Sequence, residues 1–173
     1  MGQPALKAAI RARLERLVRL NRTRTDFGEK FEALIASYNS GSRSIEQLFE
    51  ELLKLSSSLD EEAQRHVRER LSEEELVIFD ILTRPAPVLS AAERDEVKKV
   101  ARDLLARIKA LLVLNWRQKS AARSALKLAI EDTLDGLPQG YDRPLYAQKC
   151  SALFEHVYES YPERDLGVYA GPA

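Results

Sequence analysis

Cysteine, glycine and proline are scarce in this chain of 173 residues, which has one cysteine, seven glycines and seven prolines. A single cysteine, Cys150, cannot form an internal disulfide, so the cross-linked framework of small secreted domains is excluded. Because glycine and proline are few and hydrophobic residues make up 45% of the chain, low-complexity disorder is excluded as well. The composition therefore predicts a packed core in a reducing compartment.

The chain also lacks net charge and long apolar runs. The 27 lysines and arginines balance 27 aspartates and glutamates, so no global field draws the protein to nucleic acid or to a membrane. No apolar run reaches the roughly 20 residues that span a bilayer, and the N-terminus has no signal-peptide core. We therefore expect a cytoplasmic protein without a membrane partner.

The neutral total hides an uneven distribution of charge. Residues 7–24 and 94–127 are rich in lysine and arginine, whereas residues 46–80 are rich in glutamate. Two interpretations remain open. Oppositely charged helix faces could pair with one another, or a charged face could be a docking surface for a partner of opposite charge.

Helical periodicity is present along nearly the whole chain. Apolar residues recur every three or four positions, and no segment alternates apolar and polar residues as a half-buried strand does. Four segments, "DFGE" at 26–29, "SIEQ" at 44–47, "SEEE" at 72–75 and "SAAE" at 90–93, have a capping pattern that begins a helix. The sequence predicts an all-α bundle of about seven helices, in which shorter N-terminal helices pack on a C-terminal three-helix unit.

Breaks in the pattern predict where helices end. Leu59-Asp60 is expected to interrupt the helix that begins at Ser44, and the helix that begins at Ser90 is expected to be the longest. Residues 76–82 are apolar on almost every side, which predicts burial at the centre of a bundle. We expect one all-helical domain over residues 1–173, with a proline-containing loop as the best internal boundary between subdomains 1–84 and 90–161.

Signatures of catalysis and of metal binding are absent from the sequence. It contains no phosphate-binding GxxxxGK[ST] loop, no HExxH and no CxxC. Cys150 lies on an apolar stripe and is interpreted as a structural thiol. Asp80 interrupts the apolar run "LVIFDIL", so it needs a partner, either an arginine or a backbone amide of a neighbouring helix. We predict no catalytic, cofactor-binding or metal-binding residue.

The segment "NWRQKSAARSALKLAIEDTLDGLP" at 115–138 places cations before acids. Asn115 is expected to cap a helix here, and Trp116 is interpreted as a structural residue that covers a junction between two helices. Basic residues at a helix start oppose the helix dipole. They could be neutralised inside the molecule, by Lys127–Glu131 pairing and by the acids of 46–80, or they could meet a negative surface elsewhere. The candidate contacts for a partner or for DNA are Arg16, Arg19, Arg117, Lys119, Arg123 and Lys127.

Six segments follow one another in an order that resembles a known family. They are "NRTRTDF" at 21–27, "YNSGS" at 38–42, "LSEEELVIFDILTRP" at 71–85, "EVKKVARDLL" at 96–105, the segment at 115–138, and "YAQKCSALFEHVYESY" at 146–161. Together they resemble the C-terminal helical domain of the R subunit of type I restriction enzymes, over about residues 20–161.

The resemblance implies a specific setting. The R subunit of that family carries an endonuclease domain, two RecA-like domains that translocate DNA with ATP, and a helical domain held to dock the subunit on the methyltransferase core. The resemblance implies that the chain is a C-terminal fragment of a much larger subunit. It also implies that the fragment is no enzyme by itself and holds no cofactor, because ATP and Mg²⁺ are expected for the parent subunit. Its partner would be the modification subunit. The alternative is a positive surface that contacts double-stranded DNA along the translocation path.

Overall fold

The computed structural model describes residues 2–162 and residue 169. Within these residues the regular structure is entirely helical, with seven α-helices and no strand, which confirms the all-α prediction. The helices are α1 (Gln3–Leu20), α2 (Thr25–Asn39), α3 (Ile45–Arg68), α4 (Glu73–Thr83), α5 (Ala91–Leu111), α6 (Ser120–Leu134) and α7 (Arg143–Ser160). Two short 3-10 turns, Arg22–Arg24 and Trp116–Gln118, precede α2 and α6.

Three of the four predicted caps are confirmed. The fourth, Asp26 with Glu29, was wrong, because α2 begins at Thr25, before Asp26, and has no side-chain capping hydrogen bond. At the start of α3 the Gln47 backbone amide donates to the Ser44 hydroxyl at 3.2 Å, and the Ser44 amide donates to the Gln47 side-chain oxygen at 2.9 Å. The same reciprocal pair begins α4 at Ser72 and α5 at Ser90. A cap of this kind contributes about 1 kcal/mol, because it satisfies amides that have no partner inside the helix.

The chain divides into two compact units, Met1–Arg70 and Leu71–Ala173. In the first unit α1 and α2 both pack against α3. The predicted break at Leu59-Asp60 was wrong, because α3 is continuous over its 24 residues. Leu55, Leu59 and Glu62 extend one buried stripe across this point, whereas Asp60 is exposed and pairs with Arg13. The burial of the stripe therefore keeps the helix intact. The helix predicted to be the longest, α5, has 21 residues, so that prediction was wrong as well.

In the second unit α4 is the most apolar helix and is packed by α5 and α7. Its side chains from Leu76 to Asp80 are all buried, which confirms the predicted burial. The helices then pack in sequence, α5 on α6 and α6 on α7. The proline-containing loop at 84–90 lies within this unit, because α4 and α5 on its two sides pack against each other.

The C-terminal end of α4 is capped by side chains from later in the chain. The Lys149 ammonium, only 3% exposed, donates to the Ile81 carbonyl at 2.7 Å and to the Arg84 carbonyl at 2.8 Å. The Tyr141 hydroxyl donates to the Leu82 carbonyl at 2.8 Å. These donors satisfy carbonyls that the end of a helix leaves without partners. Burial lowers the pKa of Lys149, since it disfavours the charged form.

In the first unit a buried arginine joins the 3-10 turn to α3. Arg24, 1% exposed, donates through Nε to Glu62 Oε1 at 2.9 Å and through Nη1 to the Leu17 carbonyl at 3.2 Å. Arg65 donates to the same carboxylate through Nε and Nη2, each at 2.9 Å. Burial raises the pKa of Glu62, but the hydrogen bonds and charges of Arg65 and Arg24 outweigh it, so the net pKa is lowered.

Replacing this carboxylate should destabilise the protein. We expect Glu62→Gln to lower the free energy of unfolding at pH 7 by about 3–5 kcal/mol, because it leaves a buried guanidinium facing an uncharged group. The matched control is Glu61→Gln, since Glu61 is exposed and makes no salt bridge among the described residues. Urea unfolding followed by circular dichroism measures both variants.

The destabilisation caused by Glu62→Gln should also depend on pH. Because the pKa of folded Glu62 lies below its unfolded value, its contribution is complete above the unfolded pKa and is lost as the pH falls through the folded one. The difference in the free energy of unfolding between the wild type and Glu62→Gln should therefore become smaller at acid pH. A difference that stays constant from neutral to acid pH would show that folding does not lower the pKa of Glu62.

Candidate interaction surface

The chain between α5 and α6 turns sharply before the second helix begins. Asn115 has a left-handed backbone, with φ of 56°, which asparagine tolerates better than most residues. The predicted capping role of Asn115 was wrong, because its side chain makes no capping hydrogen bond and α6 begins only at Ser120. Asn115 is a turn residue that directs the chain into the 3-10 turn.

Trp116 anchors this turn to α7. Its side chain is completely buried, and its indole Nε1 donates to the Tyr161 carbonyl at 2.6 Å. The ring also meets the Tyr158 ring edge-on, with centroids 5.8 Å apart. Edge-to-face pairs of this kind add about 0.5–1.5 kcal/mol beyond the burial of area. The tryptophan thus lies where the start of α6 and the end of α7 meet.

Four cations follow along one side of this region, and we call them the α6 basic edge: Arg117, Lys119, Arg123 and Lys127. Lys119 occupies the N-cap position of α6 and is exposed. Arg123 and Lys127 follow at intervals of four residues, which places them on the same side of the helix. The Arg123 guanidinium donates to the Arg117 carbonyl, so Arg123 also holds the 3-10 turn in place.

Aromatic rings of α7 support two of these cations. The Arg117 guanidinium lies 4.8 Å from the centroid of the Tyr158 ring, and the Lys127 ammonium lies 5.1 Å from the centroid of Phe154. The two rings are themselves neighbours, with centroids 6.2 Å apart. A cation over a ring gains about 0.5–1 kcal/mol at an exposed site. The rings therefore hold the cations in place without neutralising their charge.

No carboxylate in the described part of the chain forms a salt bridge with the α6 basic edge. The proposed Lys127–Glu131 pair is not formed, because the Lys127 ammonium lies over Phe154. The first turn of α6 contains no acid either. At the other end of the helix, the Asp135 carboxylate accepts a hydrogen bond from the Tyr146 hydroxyl at 3.0 Å. The order of charges along α6 thus opposes the helix dipole, and no salt bridge within residues 2–162 offsets it.

The other predicted site residues lie apart from this edge or play a different part in the packing. Arg16 and Arg19 are exposed on α1, in the first unit. Asp80 is buried in α4, and its Oδ1 lies 4.0 Å from Nε of Arg84, the residue that follows the end of the helix. Cys150 is half-buried beside Phe154, and burial raises the pKa of its thiol. The described residues contain no group of three or more metal-ligating side chains.

The comparison with protein families decides what kind of domain this is. A family model described as "Type I restriction enzyme HindI endonuclease subunit-like, C-terminal" matches residues 3–161. The chain belongs to this family. The match confirms the resemblance carried by the six segments. No curated protein and no solved structure matches the chain, and no helix in its described part is long and apolar enough to cross a membrane.

Two of the six segments of this restriction-enzyme domain contain buried cations that the sequence did not single out as site residues. "NRTRTDF" contains the buried Arg24, and "YAQKCSALFEHVYESY" contains the buried Lys149. In the first segment the Asn21 side chain accepts from the Thr23 amide at 3.1 Å and so caps the 3-10 turn that carries Arg24. The sequence contains a signal for the burial of Lys149, because this residue lies four positions before the buried Leu153, on the apolar stripe of its helix.

Truncating Trp116 should act through the fold. We expect Trp116→Ala to lower the free energy of unfolding by about 3–5 kcal/mol, because it empties a fully buried site. Trp116→Phe keeps an aromatic ring but leaves the Tyr161 carbonyl without its donor, so a smaller loss of about 1–3 kcal/mol is expected. Thermal unfolding by circular dichroism measures both. Loss of partner binding with an unchanged melting temperature would refute the structural role.

Proposed function

We propose that this domain docks the R subunit of a type I restriction enzyme, with its nuclease and ATP-dependent translocase, on the modification (methyltransferase) core. Family membership supports a restriction-enzyme subunit as the parent protein, because the matched family is the C-terminal part of an endonuclease subunit. The observation that carries the docking role is the α6 basic edge, whose cations form no salt bridge among the described residues. An acidic surface of the modification subunit would supply the missing counter-charge.

Exposed apolar side chains beside this edge favour a protein partner. Leu128 is 59% exposed next to Lys127, and Leu114 is 67% exposed just before Trp116. Tyr158, which supports Arg117, is 40% exposed. Interfaces between proteins combine aromatic, arginine and apolar side chains at their centres, whereas contacts with DNA backbone are mainly polar and cationic. The mixture of aromatic, apolar and cationic side chains around α6 fits an interface between proteins better than a contact with DNA backbone.

The second candidate function is contact with DNA along the translocation path. Exposed cations outside the α6 basic edge favour it, namely Arg16 and Arg19 on α1, and Lys99 and Arg107 on α5. Binding of this kind neutralises phosphates and releases counterions, so its affinity should fall steeply as salt is added. The two functions are compatible within one enzyme, since different surfaces would serve them.

A paired substitution tests the docking edge. We expect Lys119→Gln with Lys127→Gln to weaken binding to the purified methyltransferase core by about tenfold or more, because two interfacial charges are lost. Arg123 is left unchanged, since it supports the 3-10 turn. The matched control is Lys99→Gln with Arg107→Gln, which removes the same charge from exposed positions of α5 in the same unit. Calorimetry of binding and thermal unfolding are measured for both.

The pattern of losses separates the two functions. Weaker docking in the α6 variant alone, with the melting temperature unchanged, supports the edge as the docking surface. Equal weakening of salt-sensitive DNA binding in both variants, with docking intact, supports the DNA function. If the α6 variant only loses stability and binds both partners normally, these cations serve the fold and the docking proposal fails.

We also expect the chain alone to hydrolyse no ATP and to cleave no DNA. The reason is that its sequence contains no GxxxxGK[ST] loop to hold nucleotide phosphates. A coupled phosphate-release assay and a plasmid-nicking assay, each with Mg²⁺ and DNA present, measure the two activities. The full R subunit is the positive control. Reproducible turnover by chain purified to homogeneity would contradict the proposal that the domain is a docking module.

A further inference from the structure

A groove with an apolar floor runs between α2 and α3 in the first unit. It has a volume of about 550 Å³, which lies in the range of sites that hold small ligands or a few side chains. Phe27 and Leu34 of α2 line one side, and Leu55 of α3 lines the other. Phe27 and Leu34 are only partly buried, so the groove leaves apolar surface in contact with water.

Cations dominate the polar lining of this groove. Lys30, Arg43 and Lys54 face a single lining carboxylate, Glu51, which leaves a formal charge of +2. Glu51 pairs with Lys54 at 3.4 Å, whereas the Lys30 ammonium lies 5.9 Å from the centroid of the Phe27 ring. The lining is therefore complementary to a ligand that carries negative charge beside an apolar group.

Arg43 lines this groove and has one side-chain donor without an acceptor. Arg43 lies in the short connection between α2 and α3, after Gly41 turns the chain with φ of 81°. Its Nε is buried and has no hydrogen-bond partner among the described residues. A buried donor without an acceptor is unfavourable, and guanidinium groups bind carboxylate and phosphate oxygens most strongly.

We propose that this groove binds a segment of a protein partner in which an aromatic or aliphatic side chain lies next to aspartate or glutamate. The apolar side chain would occupy the floor formed by Phe27, Leu34 and Leu55, and the carboxylate would meet Arg43 and Lys30. Duplex DNA fits less well, because its phosphates would leave the apolar floor uncovered. The groove belongs to a different unit from the α6 basic edge, so this inference does not rest on the docking proposal.

Selection from random peptides displayed on phage tests the groove with the 173-residue chain as target. Enriched peptides should combine a hydrophobic side chain with adjacent acidic residues. A synthetic peptide of the enriched sequence should perturb the amide resonances of residues 27–58. Lys30→Glu should weaken its binding by about tenfold or more, since this exposed side chain is a proposed partner of the carboxylate. Arg16→Glu, an exposed reversal on α1 outside the groove, is the matched control.

Several outcomes would overturn the inference. One is enrichment of no peptide, or of peptides without acidic residues. Another is equal binding by the groove variant and by Arg16→Glu, with both folded by circular dichroism. A third is perturbation of the same resonances by a short DNA duplex but not by the peptide, which would make the groove a DNA site. A fourth is concentration-dependent self-association that the groove variant abolishes, which would make a second copy of the chain the occupant.

Discussion

The burial of positive charge is the constraint on which both units of this domain depend. An ammonium or guanidinium group removed from water must be met by oxygen atoms, or it costs several kcal/mol. In the first unit Arg24 is met by the Glu62 carboxylate and the Leu17 carbonyl. In the second, Lys149 is met by two carbonyls at the end of α4. Each contact ties distant parts of the sequence together, so the helices it joins cannot shift without exposing an unpaired charge or carbonyl.

The surface chemistry of the second unit follows from this constraint in a few steps. Lys149 fixes α7 against the end of α4. Helix α7 carries the Tyr158 and Phe154 rings, and the Tyr161 carbonyl follows directly at its C-cap. The carbonyl holds Trp116, which sets the 3-10 turn and hence the point at which α6 begins. The rings hold the cations that extend from α6. The position of the α6 basic edge is thus determined by packing in the core.

Local patterns in the sequence predicted the helices and their starts, because capping boxes and apolar stripes act over a few residues. Interactions that depend on the fold could not be read in the same way. Asp60 is a plausible helix breaker in sequence, yet the buried stripe through Leu59 continues α3 past it. Lys127 and Glu131 have the spacing of an ion pair, yet a ring from α7 holds the lysine. Arg24 and Lys149 look like ordinary surface cations until their oxygen partners, 38 and 65 or more residues away, are in place.

The two candidate surfaces present their charge by the same physical means. Lys109 forms an ion pair with Glu74 at 2.8 Å, so much of its field is cancelled within the molecule. Lys127 and Lys30 instead lie over the rings of Phe154 and Phe27. A ring attracts a cation through its quadrupole and carries no net charge, so the cation is held while its field remains. The net charge of the chain is zero, so its total charge gives no steering toward a partner. Recognition of the acidic partner proposed above would then rely on cations held in this way at short range.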